Sequence, residues 1–362
     1  MGVMLGGMLL YTLFSVLGGV AAGVPLAYLT ELPPANTRIS HKPLSIWLFL
    51  GGTFLAVLLG GLCIYRLKLS KHFELQRPKL TAAFPFWGYL ALALLLSSWA
   101  AAWFWVDELS SLRYFTFSGI WLGYIFLASA LHFSIVGSTP LVSSYKEFLL
   151  LFPISALFWW TFEIVNRLVE NWSYINLGEV SALGYASLAS LSFSTVLPAV
   201  LITKLLLETF VQKQQKIKNT AGASALSSRK FWLAVLVLSL FTLLLIAVYP
   251  TELYPFVWVA PALAVPALQE LSGKKSVYSA CASGDFNQLT LWAVAGLSCG
   301  FLWEFWNYYS TPKWVYHISY LDYFRIFEMP LLGYLGYIPF GFLCGTVLIA
   351  FFPECSTEDR TQ

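Results

Sequence analysis

Two acidic side chains stand among aromatic residues inside apolar stretches of this sequence. Glu304 lies in the run Trp303-Glu304-Phe305-Trp306-Asn307, and Glu163 precedes Asn166 in an earlier run. A carboxylate is costly in a membrane-like segment, so an acid found there usually has a function. A buried, protonated carboxyl group can act as a general acid. With aromatic rings nearby to stabilise positive charge, this chemistry suits protonation of an unactivated carbon–carbon double bond.

The two acids belong to an internal duplication of the chain. Three matches define it: Glu163-x-x-Asn166 with Glu304-x-x-Asn307, Trp172-Ser173-Tyr174 with Trp314-Val315-Tyr316, and Glu179 plus Leu183-Gly184-Tyr185 with Glu328 plus Leu332-Gly333-Tyr334. Residues at i and i+3 share a helix face, so we expect Asn166 and Asn307 to orient the carboxyl groups. We expect Glu304 and Glu163 to act as an acid/base pair, supported by Glu328 and Glu179.

Aromatic side chains around these acids are expected to wall the site. Those expected to line a substrate are Trp160, Trp172, Tyr174, Trp303, Trp306, Trp314, Tyr316 and Tyr334, with Trp159 and Tyr337 in the same wall. His317 follows Trp314 and Tyr316, and we expect it to pair with Glu328. His132 is expected to be a core histidine. No second histidine stands at ligand spacing, so no metal site is expected.

A purely structural role is the main alternative for the same residues. Paired Glu and Asn side chains can clamp two repeats through interhelical hydrogen bonds worth about 0.6–2 kcal/mol each. Tryptophan and tyrosine also gather at membrane interfaces without any catalytic role. Glu108 and Glu252, which lie in predicted loops, are expected to be solvated or to cap helices.

Composition identifies a membrane protein. The chain has 362 residues, of which 58% are hydrophobic and 11% charged, whereas soluble domains are roughly one quarter charged. The net charge of +3 is too small to indicate a nucleic-acid partner. The cysteines show no C-x-x-C spacing and are expected to be small buried hydrophobes. Asn171-Trp172-Ser173 fits the glycosylation sequon, a short pattern that is frequent by chance.

Ten apolar stretches are long enough to predict an all-α bundle of about ten transmembrane helices. They lie near 3–29, 44–66, 84–106, 116–136, 148–169, 180–207, 231–250, 253–270, 289–310 and 329–352. The first stretch, 3–29, is too long for a cleavable signal peptide and lacks the basic residues with which such a peptide begins. The first two are rich in glycine and are expected to pack together as a unit.

The distribution of Lys and Arg predicts the domain organisation and the orientation. Residues 1–80 form two helices and a basic cytoplasmic loop, 81–207 the first four-helix repeat, 208–230 a cytoplasmic linker, 231–352 the second repeat and 353–362 a polar tail. Basic residues after the second and sixth helices place both termini in the cytoplasm. An even number of spans gives the repeats one orientation, related by a pseudo-two-fold along the membrane normal. The carboxylates then form a ring beneath the outer surface.

The repeated acids, the two W-x-Y steps and the Gly-Tyr-rich helix with a further acid resemble the membrane lycopene cyclases built from two fused repeats. In that family a Pro-x-Glu-Glu motif leads into Phe-Phe, whereas the run here is Ile338-Pro339-Phe340-Gly341-Phe342. The strings Trp-Glu-Phe-Trp-Asn and Phe-Glu-Met-Pro-Leu-Leu-Gly-Tyr also resemble uncharacterised bacterial multi-pass membrane proteins. The resemblance to the lycopene cyclases implies a carotenoid or other isoprenoid substrate.

Three functions remain open from the sequence. The first is an intramembrane enzyme that cyclises, hydrates or isomerises an apolar isoprenoid or polyene lipid without a cofactor. The second is a carrier or channel with an outer carboxylate cluster at the repeat interface. The third is a non-catalytic subunit of a membrane complex. A lipophilic partner and a bacterial inner-membrane location are expected in the first case, and the oligomeric state is open.

Overall fold

The computed structural model describes residues 2–69, 75–104, 110–211 and 223–352. About 70% of it is helical, so the fold is an all-α bundle, as predicted. Seven helical segments are long and apolar enough to cross a membrane, and two shorter apolar helices cover Ile46–Leu62 and Phe256–Leu271. The protein is therefore an integral, multi-pass membrane protein. The predicted tail at 353–362 with Cys355, residues 212–222 of the linker and Glu108 lie outside the described residues.

The N-terminal part and the first repeat contain nine helices and one strand. They are α1 (Gly2–Ala21), α2 (Leu26–Thr30), α3 (Ile46–Leu69), α4 (Phe86–Phe104), α5 (Arg113–Val136), α6 (Pro140–Ser143), α7 (Tyr145–Val169), β1 (Trp172–Ile175), α8 (Ala182–Phe193) and α9 (Val196–Glu208). The span predicted at 180–207 is broken between α8 and α9. Ser155 of α7 fills the break, since its hydroxyl donates to the Phe193 carbonyl at 2.6 Å and accepts from the Leu197 amide at 3.0 Å.

The second repeat follows the same order. A short helix, α10 (Ala223–Leu226), lies in the linker and is followed by α11 (Arg229–Leu245), α12 (Pro250–Leu253), α13 (Phe256–Leu271), α14 (Asn287–Asn307), β2 (Lys313–Tyr316), β3 (Arg325–Ile326), β4 (Met329–Pro330) and α15 (Tyr337–Ile349). Short 3-10 turns cover Ser110–Leu112 in the first repeat and Ser279–Ser283 and Leu331–Gly336 in the second. The helix pairs α4–α5 and α11–α13 pack within their own repeats, and α9 packs against α14 across the repeats.

Two short strands join the repeats at one end of the bundle. β1 pairs antiparallel with β2, with Trp172 opposite Tyr316 and Tyr174 opposite Trp314. We call this pair of strands the ribbon. Since α7 leads into β1 and α14 into β2, both helices run toward the same end. The repeats therefore share one orientation, and the symmetric register is what a two-fold relation requires.

The glycine-rich helices do not form the expected packing unit. Helix α1 packs instead against α11, α13 and α7. A Cβ on Gly18 would lie 2.1 Å from the Leu244 carbonyl oxygen, so the backbones of α1 and α11 touch there. A Cβ on Gly51, Gly60 or Gly61 of α3 would meet no atom within 4 Å. The prediction fails because Gly18 of α1 allows close approach to the second repeat, whereas Gly51, Gly60 and Gly61 of α3 face open space and Gly52 lies against Leu332 rather than against α1.

Candidate functional site

The asparagines hold the ribbon rather than the carboxyl groups. Asn307 donates from Nδ2 to the Trp314 carbonyl at 2.8 Å and accepts from the Trp314 amide at 3.0 Å. Asn166 donates to the Trp172 carbonyl at 2.9 Å and accepts from its amide at 3.4 Å. Each asparagine side chain thus supplies the two hydrogen bonds that a neighbouring strand would otherwise give to the backbone of the tryptophan in the following W-x-Y motif. The prediction that Asn166 and Asn307 orient the carboxyl groups directly is therefore wrong. Each side-chain amide binds instead the backbone of the strand that follows its own helix.

The ribbon side chains then bind the carboxyl group of Glu163. Its Oε1 accepts the Tyr174 hydroxyl at 2.7 Å and the Trp172 indole N–H at 3.1 Å. Trp159, one turn earlier on α7, donates to the same oxygen at 3.0 Å. The residue is 1% exposed. Three donors therefore converge on one oxygen atom of a buried carboxyl group.

Glu304 is held in a related way, with different donors. Its Oε1 accepts the hydroxyls of Tyr316 at 2.7 Å and Tyr337 at 2.6 Å. Trp314 donates to the Tyr316 oxygen at 3.0 Å and so supports the carboxyl group through that phenol. The residue is 0% exposed. Burial raises the pKa of Tyr316 well above its usual value, so it remains a hydroxyl donor.

A glycine explains the difference between the two carboxyl groups. Gly300 precedes Glu304 by four residues, as Trp159 precedes Glu163. A Cβ on Gly300 would lie 2.3 Å from the Tyr337 ring, so only glycine lets this tyrosine reach the carboxyl group. In the first repeat the Trp159 side chain occupies the corresponding place. The hydroxyl of Tyr185 is then left buried without a hydrogen-bond partner among the described residues.

The tyrosine of the second repeat is supplied by a different Leu-Gly-Tyr triplet from the expected one. The sequence contains Leu332-Gly333-Tyr334 and, directly after it, Leu335-Gly336-Tyr337. Tyr334 donates to the Ile326 carbonyl at 3.0 Å, whereas Tyr337 opens α15 and binds Glu304. Tyr185 likewise lies in the first turn of α8. The second triplet is therefore the structural counterpart of Leu183-Gly184-Tyr185.

Each carboxyl group keeps one oxygen uncommitted. The Oε2 atoms of Glu163 and Glu304 are buried and have no hydrogen-bond partner in the described part of the chain. An unpartnered buried oxygen is costly in either protonation state, and far more so if it carries charge. The arrangement favours a neutral acid with a free hydroxyl over a clamp in which every polar atom is satisfied.

Three of the predicted residues lie outside this arrangement. Glu328 forms ion pairs with Lys313 at 2.5 Å and Arg325 at 3.7 Å. Glu179 is exposed in the loop before α8. His317 does not orient an acid: its Nε2 lies 2.9 Å from the Ser173 hydroxyl, and its ring stacks on His41 with centroids 5.8 Å apart. It ties β2 to β1 because the register brings Ser173 beside it.

One large cavity lies between the repeats, next to both acids. It has a volume of about 1210 Å³ and is bounded by the ribbon, α3, α5, α8, α13, α14 and α15. Its aromatic lining consists of Phe117, Trp159, Trp172, Tyr174, Tyr185, Phe193, Tyr254, Trp258, Phe286, Trp303, Trp314, Tyr316, Tyr337 and Phe342 along with Tyr114. Leu55, Leu59 and Leu62 of α3 also line it and are 53%, 52% and 51% exposed, so the cavity opens sideways along α3.

Five of the eight aromatic residues expected to line a substrate do line the cavity. Trp160, Trp306 and Tyr334 do not belong to its lining. Trp160 donates to Ser190 at 2.9 Å, and Trp306 packs on Trp121 with ring centroids 5.1 Å apart. These side chains stand on the faces of α7 and α14 that turn toward other helices. Trp258, which stacks on Trp172 and Phe162, is a central member of the lining that the repeat pattern did not single out.

The remaining sequence predictions concern groups away from the cavity wall. His132 is a core residue of α5, 4% exposed, and Cys281, Cys299 and Cys344 are free and buried, as expected. Asn171 of the sequon is 3% exposed and therefore closed to glycosylation in the folded protein. Glu252 is exposed and accepts the Tyr320 hydroxyl at 3.1 Å. No group of three or more His, Cys, Asp or Glu side chains within the described ranges could hold a metal ion.

No family model matches the chain, and neither a curated protein nor a solved structure is significantly similar to it. Fold and site together define its class: an internally duplicated, multi-pass membrane protein with buried acids behind the wall of an aromatic cavity.

Proposed function

We propose that the protein is an intramembrane enzyme that acts on a long-chain isoprenoid or polyene lipid by acid-catalysed isomerisation, cyclisation or hydration, with no redox cofactor. One observation carries the proposal. The 1210 Å³ cavity is walled by aromatic residues of both repeats, and the phenols of Tyr316 and Tyr337 link that wall directly to the Glu304 carboxyl group.

The dimensions of the cavity support a long apolar substrate. Its volume exceeds the roughly 300–1,000 Å³ of pockets for ordinary small ligands. Along α14 its lining runs from Leu289 to Trp303, which corresponds to about 21 Å at 1.5 Å per residue. That is most of the roughly 30 Å thickness of a bilayer's hydrocarbon core. A chain entering along α3 would lie parallel to the helices, and the apolar lining favours such a substrate over a polar solute in a carrier.

Glu304 would supply the proton. Its Oε1 already accepts two phenol hydroxyls, so the proton resides on Oε2. Glu304 itself does not line the cavity, so a phenol of the wall, Tyr316 or Tyr337, would give its hydroxyl proton to one carbon of the double bond and take the Glu304 proton in return. This transfer leaves a carboxylate, and the neighbouring carbon becomes a carbocation. Return of a different proton from the substrate to a carboxylate restores the acid and completes an isomerisation or a cyclisation. Addition of water before that step gives hydration instead.

The tryptophans would stabilise the cationic intermediate. Trp258, Trp303 and Trp314 all line the cavity. An aromatic face attracts a cation by about 2 kcal/mol or more where water is excluded. Glu163, bound at the other half of the ribbon, would serve as the second acid/base group. Glu328 and Glu179 take no direct part in this scheme, because one is tied in ion pairs and the other is exposed.

We further propose that the ribbon end faces the outside of a bacterial inner membrane, with both termini in the cytoplasm. The distribution of Lys and Arg between the loops supports this orientation. The two acids would then lie in the outer half of the bilayer.

The test is production of the protein in a bacterial host that accumulates a linear carotenoid, followed by analysis of the whole lipid extract. We expect a new product with the wild-type protein and at least a hundredfold less with Glu304→Gln, since general acids contribute about 10²–10⁴ to rate. Glu252→Gln, at an exposed carboxylate, is the matched control and should leave the product unchanged. A lipid profile identical with and without the wild-type protein would refute carotenoid chemistry. A product that persists in Glu304→Gln would refute the acid.

A further inference from the structure

Arg113 is a cation at the ribbon end of the apolar cavity. It is the first residue of α5 and lines the cavity. Its guanidinium lies 5.0 Å from the centre of the Tyr114 ring, and Nη2 donates to the Tyr114 hydroxyl at 3.0 Å. Tyr114 in turn donates to the Leu177 carbonyl at 2.7 Å. The guanidinium is thus held in one position beside the loop that follows β1.

This cation has no counterion among the described residues. Lys204, Lys313 and Arg325 each form an ion pair with a carboxylate, but no described carboxylate lies within 4 Å of Arg113. Its Nε atom is buried and has no hydrogen-bond partner in the described ranges. A partly buried, uncompensated charge next to an apolar cavity is expensive. An anion bound there would remove this cost.

Gly178 lets the loop that follows β1 approach Arg113 and Tyr114 closely. Gly178 has a φ of 66°. A Cβ at this position would lie 3.0 Å from the Arg113 Nη2 and 3.1 Å from the Tyr114 hydroxyl. Because this residue has no side chain, the loop does not displace the guanidinium, while the Tyr114 proton is already committed to Leu177. Lys313, which also lines the cavity at the ribbon end, adds a second cation there, although Glu328 neutralises it.

We infer that the cavity takes an amphiphile with one anionic headgroup, a carboxylate or a phosphate, bound by Arg113. The planar guanidinium presents a fork of N–H donors that matches either group. The apolar chain would run from this headgroup along α14, past the aromatic residues. Anchoring one end of the chain fixes which carbons lie beside Tyr316 and Tyr337. The inference rests on the proposed function in that the same cavity holds the substrate.

Native mass spectrometry of the purified full-length protein in detergent tests the headgroup. Dioleoyl phosphatidate and dioleoylglycerol share both chains and differ in the phosphate, and oleate and oleyl alcohol differ in the carboxylate. We expect wild-type protein to bind at least one anionic member roughly tenfold more tightly than its uncharged partner. The pair that shows the preference identifies the headgroup chemistry. Arg113→Gln should bind charged and uncharged lipids equally, while Arg229→Gln, at an exposed arginine far from the ribbon, should keep the preference.

The outcomes separate this inference from the proposed function. Equal binding within both pairs by wild-type protein, or a preference that survives in Arg113→Gln, would overturn the headgroup assignment and leave the cavity as a lipid site. Failure of all four lipids to bind would instead remove the lipid site itself. If Arg113→Gln does not fold, a phosphatidate with a photoreactive headgroup decides the matter in wild-type protein. Crosslinks at Arg113 or Tyr114 support the assignment, and crosslinks only elsewhere contradict it.

Discussion

Glu163 and Glu304 occupy equivalent places in two repeats, yet their donors differ. Glu163 receives two indole N–H groups and one phenol, whereas Glu304 receives two phenols. Phenol hydroxyls can both donate and accept a hydrogen bond, and indole N–H groups can only donate. The second repeat is therefore better equipped to exchange protons, and the first to hold its carboxyl group in place. The proposed acid at Glu304 follows from this difference.

The two tyrosines at the start of α8 and α15 provide a direct comparison. Tyr337→Phe removes a hydrogen bond to Glu304, and we expect it to lower the free energy of unfolding by about 1–3 kcal/mol. Tyr185→Phe removes a buried hydroxyl that has no partner among the described residues, so the same measurement should show no loss or a gain. Unfolding in mixed detergent measures both. Equal destabilisation by the two substitutions would contradict the donor arrangement described above.

Substitution of Gly300 should lower stability and activity as much as substitution of Tyr337, because only glycine at position 300 leaves space for the Tyr337 ring. We expect Gly300→Ala to push the Tyr337 ring away from Glu304, because the new Cβ would lie 2.3 Å from it. Overpacking of this kind costs about 1–3 kcal/mol, and product formation should fall with it. The control is Gly6→Ala, where the Cβ meets no atom within 4 Å. Thermal unfolding and lipid analysis of the two variants test the prediction, which a fully stable and active Gly300→Ala protein would refute.

At the scale of elements, the ribbon is what brings the two acids to one cavity. Each strand has only four residues, and such short strands have little stability on their own. The ribbon persists because Asn166 binds the backbone of Trp172 and Asn307 binds that of Trp314. A contact between His317 and Ser173 also joins the strands. The W-x-Y motifs thus form the strands that join the repeats, and their aromatic side chains also line the cavity.

Loss of one asparagine should loosen the ribbon. We expect Asn307→Ala to destabilise the protein by about 2–4 kcal/mol, since it leaves a buried amide and a carbonyl of Trp314 without partners. The exposed Asn176, replaced by glycine, which tolerates its φ of 60°, is the control. Chemical unfolding followed by tryptophan fluorescence measures the difference. A loss no larger than that of the control would mean that the ribbon does not depend on this amide.

Several of these elements were predictable and others were not. The helices, the duplication and the shared orientation follow from apolar length, repeated motifs and loop charge. The strands were not predicted, because β1 and β2 pair with each other across 141 residues of sequence from Trp172 to Lys313. The choice between Tyr334 and Tyr337 also depends on three-dimensional packing, since both belong to a Leu-Gly-Tyr triplet and only the space at Gly300 distinguishes them.

At the scale of the whole molecule, the N-terminal helices contribute in different ways. α1 is built into the second repeat through Gly18, whereas α3 borders the cavity and exposes Leu55 and Leu59. In the proposed function, access of the lipid would therefore depend on a helix that belongs to neither repeat. The position of Arg113, which has no carboxylate partner among the described residues, could not be predicted from sequence either. Arginines at helix ends usually find carboxylate partners or water, and only the cavity shows that this one borders an apolar space.

The contact of α1 with α11 can be tested by a single methyl group. We expect Gly18→Ala to destabilise the protein by about 1–3 kcal/mol, because the Cβ would lie 2.1 Å from the backbone oxygen of Leu244. Gly2→Ala, at the start of the same helix, meets no atom within 4 Å and serves as the control. Thermal unfolding in detergent compares them. Equal stability of the two variants would show that α1 is not held against the second repeat at this point.

The pairing of β1 with β2 has a consequence for the ancestry of the chain. The register is symmetric: Trp172 lies opposite Tyr316, and Trp314, which matches Trp172, lies opposite Tyr174. The join therefore does not require the halves to differ. A precursor of half this length could have met a second copy of itself through the same strand and enclosed the same kind of space as a homodimer. Fusion would then have freed the halves to diverge, and Gly300 opposite Trp159 is the mark of that freedom: one half became suited to chemistry while the other kept the architecture.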